Sequence, residues 1–569
     1  MFKQNISALF APSGALAAHI PNFRSRPQQV EMAEAIAQAI EGNSLLIAEA
    51  GTGTGKTFAY LVPALLGGGK VVLSTGTKNL QDQLFQRDLP TVRDALKAPV
   101  SIALLKGRSN YLCHYHLEKA QSDGRLPTRE DVRHLARIVQ YAKITQTGDK
   151  SGLADVPETA PIWMQVTSTR DNCLGQECPN HKECFVLKAR KEAMEADVVV
   201  VNHHLFFADV MLRDEGVAEL LPACNTVIFD EAHQLPETAS LFFGENISTS
   251  QLLELARDAT IEALSGAKDF TPLPAACDAV EKAARDLRLI FKKNEGRMNA
   301  TDTEELPGFA DALGTVVTQL GSLNELLEKQ AERSEGLENC WRRAQGLTQQ
   351  LQRWHDDATS STQMDVVRWL EIFHHSVQLN ITPLSIAEIF EKQIAGNSRA
   401  WIFTSATLAV KQDFSHYQSE MGLLKAQTAC WDSPFDYSTQ ALLYVPTRIP
   451  EPNSEGYNEA VVQSALPLIE ASKGRAFLLF TSLRAMQRAH EILTVEFERR
   501  NLTYPLLLQG EGSRNELLTQ FREHGNAVLL GSQSFWEGVD VRGEALSLVV
   551  IDKLPFAPPD DPEIGRAHV

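Results

Sequence analysis

Residues 44–57 read SLLIAEAGTGTGKT, and residues 226–233 read TVIFDEAH. In the first segment the apolar run Leu45-Leu46-Ile47 ends in a glycine-rich turn, Gly51-Thr52-Gly53-Thr54-Gly55, and Lys56-Thr57 then opens a helical stretch. A turn of this kind aims successive backbone N–H groups at phosphates, the lysine reaches the β- and γ-phosphates, and the threonine hydroxyl binds Mg2+. The strict pattern has glycine at the position of Ala50, and alanine is small enough to be tolerated there. In the second segment the strand Val227-Ile228-Phe229 delivers two adjacent carboxylates. Asp230 suits the Mg2+ shell, and Glu231 suits orienting or deprotonating the attacking water.

The two motifs sit in a chain of 569 residues, enough for several domains. With 43% hydrophobic and 22% charged residues, the composition is that of an ordinary globular protein. No run approaches the roughly 18 uninterrupted apolar residues of a membrane helix. Pro12 and Gly14 interrupt the N-terminal stretch, which weakens a secretory reading and leaves the cytosol as the expected location. The net charge of −18 looks unlike a nucleic-acid binder, but net charge governs solubility and non-specific attraction, and an acidic body can still carry a local basic channel.

Four of the eight cysteines have the spacing of a ligand set. Cys173, Cys178 and Cys184 form C-x4-C-x5-C within DNCLGQECPNHKECF, and Cys113 ends KGRSNYLC. Short gaps with a glycine and a proline let three thiolates converge, and Cys113 supplies a fourth. Such a set suits either Zn2+ or an iron–sulfur cluster, and the gaps are wider than the x2 of a zinc ribbon. His181 lies inside the loop as a bystander. Cys224, Cys277, Cys340 and Cys430 are isolated thiols.

Short apolar strands, KVVLSTGT (70–77), ADVVVVN (196–202) and TVIFDEAH, alternate with helical stretches such as QQVEMAEAIAQAIEG, which predicts a parallel sheet with crossover helices. A second α/β unit begins near residue 440, with strands at 475–482, 504–510, 527–532 and 546–556. Between them, long stretches of 245–395 lack strand signals. Leu313, Val316, Leu320, Leu323 and Leu327 make one helical stripe and Leu337, Trp341, Ala344, Leu351 and Trp354 another, divided by a turn at RSEG (333–336). KARKEA (188–193) is basic and helical, either a solvated face or a phosphate-contacting edge.

The combination of GTGTGKT, a four-cysteine insertion before DEAH and a later SATL (405–408) resembles the XPD/DinG group of superfamily 2 iron–sulfur DNA helicases. LLKGRSNYLC (104–113), DNCLG (171–175), ADVVVVNHHLF (196–206), IFDEAHQLP (228–236), SPFDYS (433–438) and SFWEGVDVRG (534–543) extend the resemblance over nearly the whole chain.

The resemblance implies an α/β architecture of two RecA-like parallel-sheet motor domains, the second incomplete, with an inserted iron–sulfur domain and an α-helical arch. The expected boundaries are 1–106, 193–244 and 396–415 for the first motor, 107–192 for the cluster domain, 245–395 for the arch and 416–569 for the second motor. It implies ATP and Mg2+ as cofactors and a [4Fe–4S] cluster, rather than Zn2+, on Cys113, Cys173, Cys178 and Cys184. Arg26 and Gln29 match the adenine-side motif. Thr481 and Ser482 would touch the DNA backbone, Ser405 and Thr407 would couple hydrolysis to DNA, and Gly538, Val539 and Asp540 would face the nucleotide across the cleft. Phe535 and Trp536 would either stack on bases or pack in a core. The implied activity is ATP-driven 5′→3′ translocation on single-stranded DNA, in repair or replication, with forked or tailed duplex as substrate. Replication or repair proteins would be partners of a monomer in the bacterial cytoplasm.

The family continues with Q-x-x-G-R-x-x-R, whose arginines contact the γ-phosphate, and nothing in this chain matches it. The last seven residues, EIGRAHV, resemble a translated sequencing adapter. The expectation is a truncated chain that binds ATP weakly and unwinds little. Two rival readings accompany the motor. A DinG-like nuclease would need a domain ahead of Arg26, where about 25 residues stand. An ATP-gated clamp or adaptor without unwinding activity would use the arch to bind a partner.

Overall fold

Seven parallel strands form the sheet that carries both nucleotide motifs, in the order Gln427–Trp431, Leu45–Ala50, Ala400–Ser405, Thr226–Asp230, Val71–Thr75, Val198–Asn202 and Ile102–Leu104. Its central strands are near-continuous apolar runs, VVVVN and TVIFD among them, as expected where helices cover both faces. One face packs on the helices Pro27–Glu41 and Lys56–Leu66, the other on an aromatic cluster in which Phe229 stacks on Phe403 and Trp401. In this computed structural model the described residues are 2–556, except 124–125, 127, 154, 159, 171, 215–219, 293–294, 357–365, 384, 396–397, 453, 513, 533–534, 537–538, 540 and 542. The EIGRAHV ending and the Gly538 and Asp540 assignments lie outside them.

The order of strands positions the site. Leu45–Ala50 and Thr226–Asp230 flank Ala400–Ser405, with Ala48 in register with Thr404 and Thr404 with Asp230. The glycine-rich turn, the SAT segment and DEAH therefore leave the sheet at the carboxyl ends of three adjacent parallel strands, where ligands of open α/β sheets bind. Strand Gln427–Trp431 pairs with Leu45–Ala50, so the first sheet extends past the boundary at 416 expected from sequence.

A second parallel sheet, in the order Leu506–Leu508, Val528–Gly531, Ala476–Leu479 and Leu548–Ile551, contains the four strands expected after residue 440. Helices Tyr457–Ala471 and Leu483–Arg500 pack on one face and Arg514–His524 on the other.

The region 245–395 holds the long helices Thr249–Gly266, Pro272–Leu289, Phe309–Glu328 and Glu335–Asp356. Both expected stripes face its core, with Leu320, Leu323 and Ala344 fully buried. The all-helical reading needs one correction. Glu245–Ser248, Val377–Pro383, Val366–Ile372 and Gly296–Asn299 form an antiparallel four-stranded sheet under the helices. Val377, Leu379 and Ile381 alternate toward the core, but a seven-residue alternation is a weaker sequence signal than a 20-residue helical stripe.

Lys106 anchors the cysteine-bearing segment to the first sheet. It is buried and lies 2.8 Å from both Asp82 and Asp149. Among the described residues no helix is long and apolar enough to cross a membrane.

Candidate functional site

The glycine-rich turn takes the shape its residues allow. Gly53 and Gly55 adopt left-handed φ values of 83° and 87°, open to glycine at little cost. Thr54 is buried and closes the turn by donating to the Gly51 carbonyl at 2.7 Å. Lys56 Nζ donates to the Ala50 carbonyl at 3.2 Å, folding the ammonium over the turn.

Gln29, on the helix Pro27–Glu41, is buried and donates from Nε2 to the Gly55 carbonyl at 2.9 Å. Its Oε1 has no hydrogen-bond partner, leaving one acceptor for a ligand. Arg26, Gln29, Gly53, Gly55, Lys56, Thr57, Asp230 and Glu231 line one cavity of about 930 Å3. Gly543 of the second α/β unit lines it too, as do Phe23, Phe58 and Phe435. Gly51, Thr52 and Thr54 belong to the turn but not to the lining.

The acidic motif is built for charge control. Glu231 sits at φ 55°, a left-handed conformation sparsely used by non-glycine residues and common at functional sites. Burial, and next the Glu231 charge, push Asp230 up to about 7, while Lys56 and the Tyr60 hydroxyl oppose the shift. His233 Nδ1 lies 2.8 Å from Ser405 Oγ, joining the acidic motif to the SAT segment. Thr407 follows, its backbone N–H donating to Ser405 Oγ at 3.3 Å.

Sequence reading missed several residues in and behind this site. Tyr60 donates to Asp230, and Glu49 accepts from the backbone N–H groups of Leu408 and Ala409. Gln83, Arg87 and Asp88 enter the lining from around a π-helical turn, Leu84–Asp88. π-turns are frequent at functional sites, but no short-range spacing announces one.

Cys113, Cys173, Cys178 and Cys184 line a second cavity, of about 270 Å3, with Leu112, Val186, Arg108, His181 and Arg190 around them. Burial pushes the Cys113 thiol up to about 11. Burial, and then Arg108, pull Arg190 down to about 10. Among the described residues no three His, Cys, Asp or Glu side chains converge closely enough to hold a metal ion. The helix Phe185–Glu195 carries the KARKEA segment, and its Lys188 donates to the Gln146 carbonyl at 2.8 Å.

In the second unit, Ser482 caps the helix Leu483–Arg500 by accepting from Ala485 N–H at 3.2 Å, and Thr481 N–H donates to Asp552. Phe535 is 3% exposed and packs with Phe477, Phe521 and Leu529, which makes it a core residue. Trp536 and Val539 are partly buried against the same cluster.

A DEAD/DEAH box helicase family matches residues 27–122, and a helicase C-terminal domain family matches residues 465–568. The chain is 46% identical over 554 residues to the ATP-dependent DNA helicase YoaA of Escherichia coli (strain K12), covering 97% of this chain and 86% of that protein. It is 34% identical over 581 residues to the ATP-dependent helicase DinG of Mycobacterium tuberculosis (strain ATCC 25618 / H37Rv), covering 95% and 82%. The solved structure of S. tokodaii Xpd4 shares its fold, with a TM-score of 0.51 at 13% identity over 95% of this chain and 86% of that one. On the identity that runs from the glycine-rich turn through the second sheet, the chain belongs to the YoaA/DinG family of ATP-dependent DNA helicases.

Proposed function

We propose that the chain is an ATP-driven motor that translocates 5′→3′ along single-stranded DNA and opens forked or tailed duplex, in repair or replication. One observation carries this reading. The glycine-rich turn, the acidic pair and Gly543 of the second α/β unit share a single cavity, so a triphosphate bound there would touch both units. Lys56 would hold the β- and γ-phosphates, Thr57 and Asp230 the Mg2+, and Glu231 the attacking water. Of Gly51 to Gly55, the residues Thr52, Gly53 and Gly55 would present their N–H groups to the phosphates, while Gly51 and Thr54 hold the turn. Arg26 and the free acceptor of Gln29 would hold the base. Gly538 and Asp540 are assigned to the far wall by the family pattern. Hydrolysis would remove the contacts that draw the two units together, and alternating grip would advance the strand. Ser405, bonded to His233, would carry the change from the acidic motif toward the DNA.

Cys113, Cys173, Cys178 and Cys184 are proposed as ligands of a [4Fe–4S] cluster. The donor set fits in its chemistry: four thiols line one cavity of about 270 Å3. Arg108 and Arg190 stand in the same wall and would offset the thiolates' negative charge. Bound there, the cluster would supply a covalent brace. The division into two motors, a cluster domain and an arch enclosing the strand is proposed in the same way, as are a cytoplasmic monomer and contacts with replication or repair proteins.

Unwinding polarity tests the reading. Whatever opening this chain performs with ATP and Mg2+, little by the expectation from sequence, should be confined to duplexes with a single-stranded 5′ tail, and 3′-tailed duplexes should stay closed. Opening of the 3′-tailed substrate alone would reverse the assigned direction.

A further inference from the structure

The segment after the edge strand Gln427–Trp431 does not leave the first sheet but folds back over the glycine-rich turn. We propose that Trp431–Tyr437 is a clasp that sets the conformation of this turn, with Phe435 and Tyr437 acting as positioning residues for the bound triphosphate.

Three consecutive residues of the turn are gripped. Gly51 N–H donates to the Trp431 carbonyl at 2.9 Å. Ser433 Oγ donates to the Thr52 carbonyl at 2.7 Å, and the Tyr437 hydroxyl lies 2.8 Å from Thr52 Oγ1. Ser433 and Tyr437 are themselves 3.1 Å apart, so the two hydroxyls act as one unit. The Phe435 ring lies on Gly53 so closely that a Cβ there would fall 2.0 Å from Cε2. At Gly51 a Cβ would fall 2.6 Å from the Ser433 nitrogen. Gly53 is therefore needed twice, for its left-handed backbone and for the approach of Phe435, and Gly51 for the approach of Ser433.

The far end of the turn is held from the base side, where Gln29 donates to the Gly55 carbonyl. Trp431 Nε1 donates to Glu31 Oε2 at 3.1 Å, and Glu31 shares a helix with Gln29. Base-side helix, turn and clasp thus form a closed circuit of contacts. A glycine-rich turn alone has many accessible backbone states and must order to aim its N–H groups. A clasp made in advance lowers that cost before the ligand arrives.

Phe435 and Tyr437 are 43% and 53% exposed, so they are not part of a packed core, and Phe435 faces the nucleotide cavity.

The inference rests on the nucleotide-site reading above, and the test separates the two. Binding of Mg2+–ATPγS by calorimetry and steady-state ATP hydrolysis are measured on the full chain and on Phe435→Ala, Phe435→Leu, Tyr437→Phe and Lys56→Ala. Phe435→Ala should raise both Kd and the KM for ATP by about tenfold while kcat stays within about twofold. Phe435→Leu should recover most of the loss, and Tyr437→Phe should weaken binding by about threefold with an unchanged melting temperature. If Phe435→Ala does not fold, Tyr437→Phe decides. Wild-type affinity in the Phe435 and Tyr437 variants, with binding lost in Lys56→Ala, would overturn the clasp alone. Wild-type affinity in Lys56→Ala would overturn the nucleotide site and the clasp with it.

Discussion

The Tyr60 hydroxyl donates a 3.1 Å hydrogen bond to Asp230 Oδ2 in the buried interior of the first sheet's carboxyl edge. Tyr60 lies one turn after Thr57 on the helix that opens from the glycine-rich turn, and Asp230 ends the strand of the acidic motif. The two halves of the nucleotide site are thus joined directly, before any ligand links them. Burial, followed by Asp230's charge, holds the Tyr60 pKa well above its ordinary value, so the phenol stays a donor throughout the physiological range.

This bond sets a pH dependence. Burial and Glu231 raise Asp230 to about 7, so the carboxylate form proposed to bind Mg2+ gains population as pH rises through neutrality. Tyr60→Phe removes a donor that favours the carboxylate. The rising limb of kcat/KM against pH should then move upward by about one pH unit, the scale of a hydrogen bond to a charged group. An unshifted midpoint would separate Tyr60 from the chemistry.

His203 gives a stability prediction. It is fully buried, with Nδ1 2.7 Å from Ser74 Oγ, and burial pulls its pKa down to about 3. In the unfolded chain the same group titrates near about 6.5. The unfolded state therefore takes up a proton that the folded state refuses. Stability from this group is intact above about 6.5 and falls as pH drops from there toward about 3. His203→Asn should flatten the melting temperature across that window, and a slope equal to wild type would assign the acid sensitivity elsewhere.

Chemical analysis of protein purified without oxygen checks the cysteine cavity. About four iron and four acid-labile sulfide per chain are expected, with both lost in Cys184→Ser. One zinc per chain would replace the cluster by a mononuclear site.

The cysteine-bearing segment touches the long-helix domain through a few polar pairs. Lys119 pairs with Glu262, and Asn172, beside Cys173, donates to Glu254 at 2.9 Å. Lys119→Ala and Glu262→Ala should be non-additive in thermal unfolding by about 1 kcal/mol, as for contacting partly buried charges. Strict additivity would mean that the pair does not hold the two regions together.

The parts legible in sequence are those whose chemistry is encoded at short range. Residues 51–57 and 230–231 are contiguous, and their motifs fall on one cavity. The four strands after residue 440 were legible as bounded apolar runs. The clasp was visible as the string SPFDYS but without a role, because Thr52 and Tyr437 are 385 residues apart. Tyr60 carries no short-range signal, because its partner Asp230 is 170 residues away. Phe535 was ambiguous because an aromatic at a strand end serves a core and a ligand equally well, and only packing against Phe477 and Phe521 resolves it.

The most direct measurement is the rate of ATP hydrolysis with and without single-stranded DNA, on this chain and on Glu231→Gln. Expected is a rate that, though low, rises with DNA and falls by about a hundredfold or more in Glu231→Gln, as when a water-activating group is removed, with ATP binding retained. A rate indifferent to DNA, or undiminished in Glu231→Gln, would contradict a motor driven from this site.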